Sequence, residues 1–147
     1  MIMVDTGAWY AVCDASDTNH QRAKAFYEKV AGVIPLVTTD AVLVETWTLL
    51  AARLGRHAAI NFWETLREAR VPVITVQEAD LEVAWQIINT FHDQTFSFTD
   101  ATTFAVMERL GIEQVFTFDR HFLVYRYGPG RKKAFISEPS TGLSPGR

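Results

Sequence analysis

Four acidic residues in this sequence stand where a solvated surface charge is not expected: Asp5, Glu45, Asp100 and Asp119. Asp5 follows the apolar run Ile2-Met3-Val4, and Asp119 follows Val115-Phe116-Thr117-Phe118, so both belong at the carboxyl ends of short strands. Asp100 opens a series with helical spacing (Ala101, Phe104, Ala105, Met107, Leu110), with Thr99 as the expected N-cap and Gly111 as the stop. Glu45 lies four residues from both Ala41 and Leu49 and is predicted on the inward stripe of their helix. A carboxylate there costs several kcal/mol unless it is paired or bound to metal. In a parallel sheet, strand ends and the following helix N-termini share one edge, so all four acids can converge.

Such a cluster repels itself. Two unit charges 4 Å apart cost about 1 kcal/mol in water and about 4 kcal/mol at an effective dielectric of 20. A divalent cation is the simplest reason for a fold to gather them, and hard oxygen ligands suit Mg²⁺ or Mn²⁺ rather than Zn²⁺. Taken singly, each acid also has an ordinary reading as a cap, a turn residue or the edge of a stripe.

The elements that must position these acids alternate. Strands are predicted at Ile2 to Val4, Val33 to Val37, Val73 to Val76, Val115 to Phe118 and Ala134 to Ile136. Between them lie a short helical turn (Ala8 to Val12) and helices at His20 to Val30, Ala41 to Leu54, Arg56 to Glu68, Glu78 to Phe91 and Ala101 to Leu110. A further helical turn is expected at Arg120 to Phe122. This order implies an α/β domain with a central parallel sheet of four to five strands covered on both faces, over residues 1–136. The Pro/Gly/Ser-rich stretch 137–147 is expected to fray.

Other chemistries find no support. Cys13 is the lone cysteine, so neither a disulfide framework nor a cysteine-rich metal site is available. The four histidines show no metal-ligand spacing and none neighbours a nucleophile; no glycine-rich phosphate motif occurs. No apolar run reaches membrane-spanning length and the first residues do not read as a signal peptide, so a cytoplasmic location is expected. The net charge of −3 requires any nucleic-acid binding to come from a local patch.

Four segments, Val4-Asp5-Thr6, Leu43-Val44-Glu45, Ser97-Phe98-Thr99-Asp100-Ala101 and Phe116-Thr117-Phe118-Asp119-Arg120-His121-Phe122, resemble the acidic motifs of the PIN domain. Their spacing is most similar to the VapC-type toxins of toxin–antitoxin pairs. The resemblance implies a three-layer α/β/α fold and a Mg²⁺-dependent ribonuclease that cleaves RNA with a metal-activated water. It also implies a homodimer restrained by a small antitoxin. By position, Asp5, Glu45, Asp100 and Asp119 would be the metal-site acids, with Thr117 adding a hydroxyl beside them. Gly7 departs from the small polar residue often found there. A PIN-fold module that binds RNA or protein without cleaving it is the alternative, marked in sequence by loss of an acid. A phosphatase with an aspartyl nucleophile would call for a second Asp where Gly7 stands.

Between Arg120 and Lys133 five cations (Arg120, Arg126, Arg131, Lys132, Lys133) occur without an acid, interleaved with Phe122, Tyr125 and Tyr127. Cations on phosphates and aromatics under unpaired bases would suit single-stranded or looped RNA. The same stretch also reads as a solubilising turn. The aromatic-rich helical hairpin around Trp47, Leu50, Phe62, Trp63 and Leu66 is expected to offer part of its surface to an antitoxin or a second copy.

Overall fold

The computed structural model describes residues 1–140. Five short strands, β1 (Ile2–Val4), β2 (Leu36–Thr39), β3 (Val73–Ile74), β4 (Gln114–Phe116) and β5 (Ile136–Glu138), form one sheet in the order β3-β2-β1-β4-β5. Every pairing in it is parallel. The sheet lies between helices, as expected for an α/β fold. β1 sits at its centre, and all three of its residues are buried.

Strand alternation divides the core in two. Ile2, Val4, Leu36 and Phe116 face a cluster built with α1 (Thr6–Cys13), α2 (His20–Val30), α3 (Asp40–Arg53) and α4 (Arg56–Glu68). Met3, Val37 and Val115 face the opposite layer, built with α5 (Glu78–Thr90), α6 (Phe98–Leu110) and α7 (His121–Val124). Successive side chains of a strand point to opposite faces, which is why three-residue strands can serve two cores.

Helix α6 is the central helix of its layer, with all residues from Asp100 to Met107 buried. Ser97, not Thr99, caps it. The Ser97 hydroxyl accepts from the Asp100 N–H (3.0 Å), and the Asp100 carboxylate accepts from the Ser97 N–H (3.1 Å). This reciprocal pair satisfies two otherwise orphaned donors and begins the helix one residue before Thr99. Gly111 ends the helix in the left-handed conformation (φ 68°), where glycine carries no Cβ penalty.

Three other expectations shift. The buried stripe of α3 is Val42, Thr46 and Leu50, one position from the predicted one, leaving Ala41, Glu45 and Leu49 half-buried on its flank. The aromatics of the α3–α4 hairpin are mostly taken up by the core: Phe62 and Leu66 are buried, Trp9 meets Phe62 edge-on at 5.8 Å, and Trp47 and Trp63 pack partly against the same cluster. The last strand begins at Ile136 rather than ending there. Ser137 and Glu138 therefore belong to the sheet, paired with Val115 and Phe116, and do not fray. The remainder of the expected tail, 141–147, lies outside the described residues.

An ion pair pins the two long helices of the second layer. Arg109 donates from Nε and Nη2 to both oxygens of the buried Asp80 (2.8 Å each), and Asp80 also accepts from the Gln77 N–H at the start of α5. The guanidinium holds the Asp80 carboxyl below the usual range. Because removing one partner strands a buried charge, Arg109→Met should destabilise the fold by about 3 kcal/mol. Changing Asp80 to Asn as well should recover part of that loss, as read from urea denaturation of the single and double variants.

A candidate metal centre at the carboxyl edge of the sheet

The register of β1 on β4 builds the site. Val4 stands opposite Phe116, and the Asp5 N–H continues the ladder by donating to the Phe116 carbonyl (3.0 Å). The next residue on each strand therefore meets its counterpart. The Thr117 hydroxyl donates to the Asp5 carboxylate at 2.9 Å. Asp5 then turns the chain into α1, so its buried carboxylate sits where the helix begins.

From Thr117 a continuous polar chain runs across the edge. The Asp119 N–H donates back to the Thr117 hydroxyl (3.0 Å), and the Asp119 carboxylate accepts from the His121 N–H (2.9 Å). The imidazole Nδ1 of His121 lies 2.9 Å from the Asp100 carboxylate and 3.3 Å from that of Asp119. Phe96 meets the imidazole edge-on at 5.1 Å and fixes its plane. Four polar side chains from two strand ends and a helix start, joined by one histidine, thus share one small volume.

Their electrostatics are those of a cluster lacking positive charge. Burial first, and then the neighbouring Asp100 carboxylate, push the Asp5 carboxyl up to about 7; the Thr117 hydroxyl and the Thr6 N–H oppose that rise. Asp100 is also raised, chiefly by burial, against the hydrogen bond from His121 that favours its charged form. Desolvation and like charge both disfavour ionisation here, and a cation reverses both. One oxygen each from Asp100 and Asp119 and one nitrogen of His121 lie within 4.8 Å of one another. Next to Asp5 in the chain, the Thr6 hydroxyl is buried without a hydrogen-bond partner among the described residues. This donor set suits a small divalent cation.

The sequence-derived residues are not all gathered equally. Asp5, Asp100, Asp119 and Thr117 meet as described. Glu45 stands half-buried on the flank of α3, a helix that packs against α6, and makes no hydrogen bond or ion pair among the described residues. His121 joins the cluster although its spacing in sequence suggested no ligand role. The one signal for it was its place two residues after Asp119, in reach of that carboxylate through a tight turn.

The basic stretch is divided. Arg120 is exposed at the start of α7, directly after Asp119, and Lys132 and Lys133 are exposed in the turn. Arg126 donates from Nη1 to the carbonyls of Leu123 and Tyr125. Arg131 lies over the Phe91 ring at 5.3 Å. The aromatics interleaved with these cations cannot all receive bases: Phe122 and Tyr125 are buried, Tyr125 stacks on Phe104 at 4.2 Å, and Tyr127 stacks on Phe135.

The family model of the PIN domain matches residues 2–126. The chain belongs to the PIN domain family. The resemblance read from the four acidic segments is thereby borne out. This PIN domain is 39% identical over 123 residues to the 23S rRNA-specific endonuclease VapC20 of Mycobacterium tuberculosis, covering 83% of this chain and 92% of that protein. It is 27% identical over 132 residues to ribonuclease VapC26 of the same organism, covering 88% of this chain and 96% of that one. The crystal structure of VapC20, described as a sarcin-ricin loop cleaving toxin, superposes with a TM-score of 0.74 at 37% identity, over 81% of this chain and 90% of that chain. The PIN domain is therefore a homologue of VapC-type ribonuclease toxins.

The raised Asp5 carboxyl sets the sign of a pH effect. A group whose folded pKa lies above its unfolded value stabilises the fold fully only below the unfolded value near 3.8, and that contribution is lost as pH rises through about 7. In chelator, wild type should therefore lose stability relative to Asp5→Asn between about pH 4 and pH 7. The variant should be the more stable by about 1 kcal/mol or more at pH 8. Thermal unfolding of both proteins at pH 5 and pH 8 checks this.

Proposed function

We propose that this PIN domain is an endoribonuclease that hydrolyses RNA phosphodiester bonds with Mg²⁺, or with Mn²⁺ in its place. We further propose that it acts in the cytoplasm as the toxin of a toxin–antitoxin pair. The observation that carries this reading is the polar chain from Asp5 through Thr117, Asp119 and His121 to Asp100, in a chain 39% identical to an endonuclease that acts on 23S rRNA. All four expected acids are present, which favours a cleaving enzyme over a PIN-fold module that only binds.

In this proposal Asp5, Glu45, Asp100 and Asp119 hold the metal, Glu45 from the facing helix. A bound divalent cation supplies a lowered pKa to an attacking water and neutralises charge that develops on the phosphoryl oxygens. Thr117 acts on two of the acids together, donating to Asp5 and accepting from the Asp119 backbone, and so keeps both oriented. His121 holds Asp100 and Asp119 at a fixed separation through Nδ1. Arg120, Arg131, Lys132 and Lys133 contact RNA phosphates, and Arg126 shapes the turn that presents them. A looped RNA is the favoured substrate, because loops expose unpaired bases and allow the backbone to bend into an edge site.

The partners in this reading are a cognate antitoxin and a second copy of the chain. Supporting them is an apolar groove in which Val44, Leu81 and Phe98 are exposed beside Asp40 and Thr99. Among the described residues, no helix is long and apolar enough to cross a membrane.

The test is cleavage of a labelled stem–loop RNA by the purified protein. Mg²⁺ or Mn²⁺ should support cleavage and EDTA should stop it. Asp5→Asn and Asp100→Asn should each lower the rate by about 100-fold or more, since each removes charge from the site while keeping its shape. Cleavage that persists after exhaustive chelation contradicts the reading.

A further inference from the structure

Helix α2 carries a cation that has no place in the basic stretch. Phe26 of α2 stacks on Phe116 of β4 (4.8 Å), and Phe116 in turn meets Phe118 edge-on (6.0 Å). One turn before Phe26, on the same face of α2, Arg22 places its guanidinium 5.3 Å above the centre of the Phe118 ring. The rings thus run from Phe116, the last residue of β4, to Phe118 just beyond the strand, with Arg22 as the last step. Phe118 is the residue between Thr117 and Asp119, so Arg22 is seated from the α2 side on the segment that carries both.

Three features separate this arginine from an ordinary surface cation. It makes no ion pair or hydrogen bond among the described residues, although Glu138 lines the same groove. Its orientation is set by an aromatic face, which leaves the donors of the guanidinium fork free for a planar or tetrahedral anion. It is exposed, so a ligand can reach it without a change in the fold. A polyanion approaching Asp5, Asp100 and Asp119 meets repulsion, and a cation held on the ring between Thr117 and Asp119 in sequence offsets it along one line of approach.

We propose that Arg22, seated on Phe118, binds a backbone phosphate of the RNA and aligns the strand across the acidic edge. This inference rests on the ribonuclease reading and adds to it a contact on the side opposite the basic turn. Phosphate contacts position a nucleic acid without reading its sequence, so Arg22 serves register rather than base choice.

The experiment is fluorescence anisotropy with a fluorescein-labelled stem–loop RNA, in EDTA and again with Ca²⁺, with a gel verifying that the RNA stays intact. Arg22→Gln should raise Kd about tenfold. It should also flatten the plot of log K against log salt by about 0.7, the loss of one phosphate contact. Arg22→Lys should keep the slope and lose only part of the affinity. Lys24→Gln removes the same charge from the opposite side of α2 and should leave Kd nearly unchanged. The melting temperatures of all three variants should match wild type, since the changed side chains are exposed. If wild type binds RNA and Arg22→Gln binds equally well with the same slope, Arg22 is no phosphate ligand and the ribonuclease reading stands without it. Equal weakening by Arg22→Gln and Lys24→Gln also overturns the proposal, because general charge would then explain both. If wild type binds RNA in neither condition, this inference and the RNA reading fall together.

Discussion

The parallel pairing of β1 with β4 is the constraint on which the site depends. Val4 opposite Phe116 brings Asp5 to Thr117, and the hydroxyl contact between them follows from register alone. A slip of one residue would turn Met3, Val115 and their neighbours to the wrong layer, exchanging the two cores. Hydrophobic burial on both faces thus fixes where the acids stand. The site inherits its precision from packing rather than from contacts among the acids, which repel one another.

That repulsion explains the polar chain around it. Asp100 has two tasks: it closes the capping box of α6 with Ser97, and it faces His121. The helix N-terminus and the imidazole both favour its charge, while burial opposes it. Asp5 has weaker support, from one hydroxyl and one N–H, and its carboxyl is accordingly pushed up to about 7. The cluster is held together by the fold at a cost to the fold, which is the usual condition of a functional site.

Much of the architecture was legible in sequence because strand and helix signals alternate cleanly. Asp5, Asp100 and Asp119 stood out because each directly follows or opens such an element. The misplaced features share a different cause, since they depend on which partner wins in three dimensions. The α3 stripe was read one residue off because Val42, Leu43, Val44, Leu49 and Leu50 surround that helix with apolar side chains, leaving its phase weakly marked. Tyr125 and Phe122 looked available for bases, yet Phe104 beneath them needed covering, and burial took them. The start of the last strand followed the length of β4 rather than its own composition. His121 and Arg22 were silent because what matters about each lies far off in sequence: Asp100 is 21 residues before His121, and Phe118 is 96 residues after Arg22.

The central claim is that the acids at the carboxyl edge form one divalent-metal site that includes Asp5. Calorimetric titration of Mn²⁺ into wild type and Asp5→Asn at about pH 6, in two buffers of different ionisation heat, tests it most directly. Near that pH the Asp5 carboxyl is largely protonated, so metal binding must displace its proton. The expected result is saturable binding to wild type with proton release, and binding by Asp5→Asn that is far weaker and releases fewer protons. Equal affinity and equal proton release in the two proteins would show that Asp5 takes no part in holding a metal.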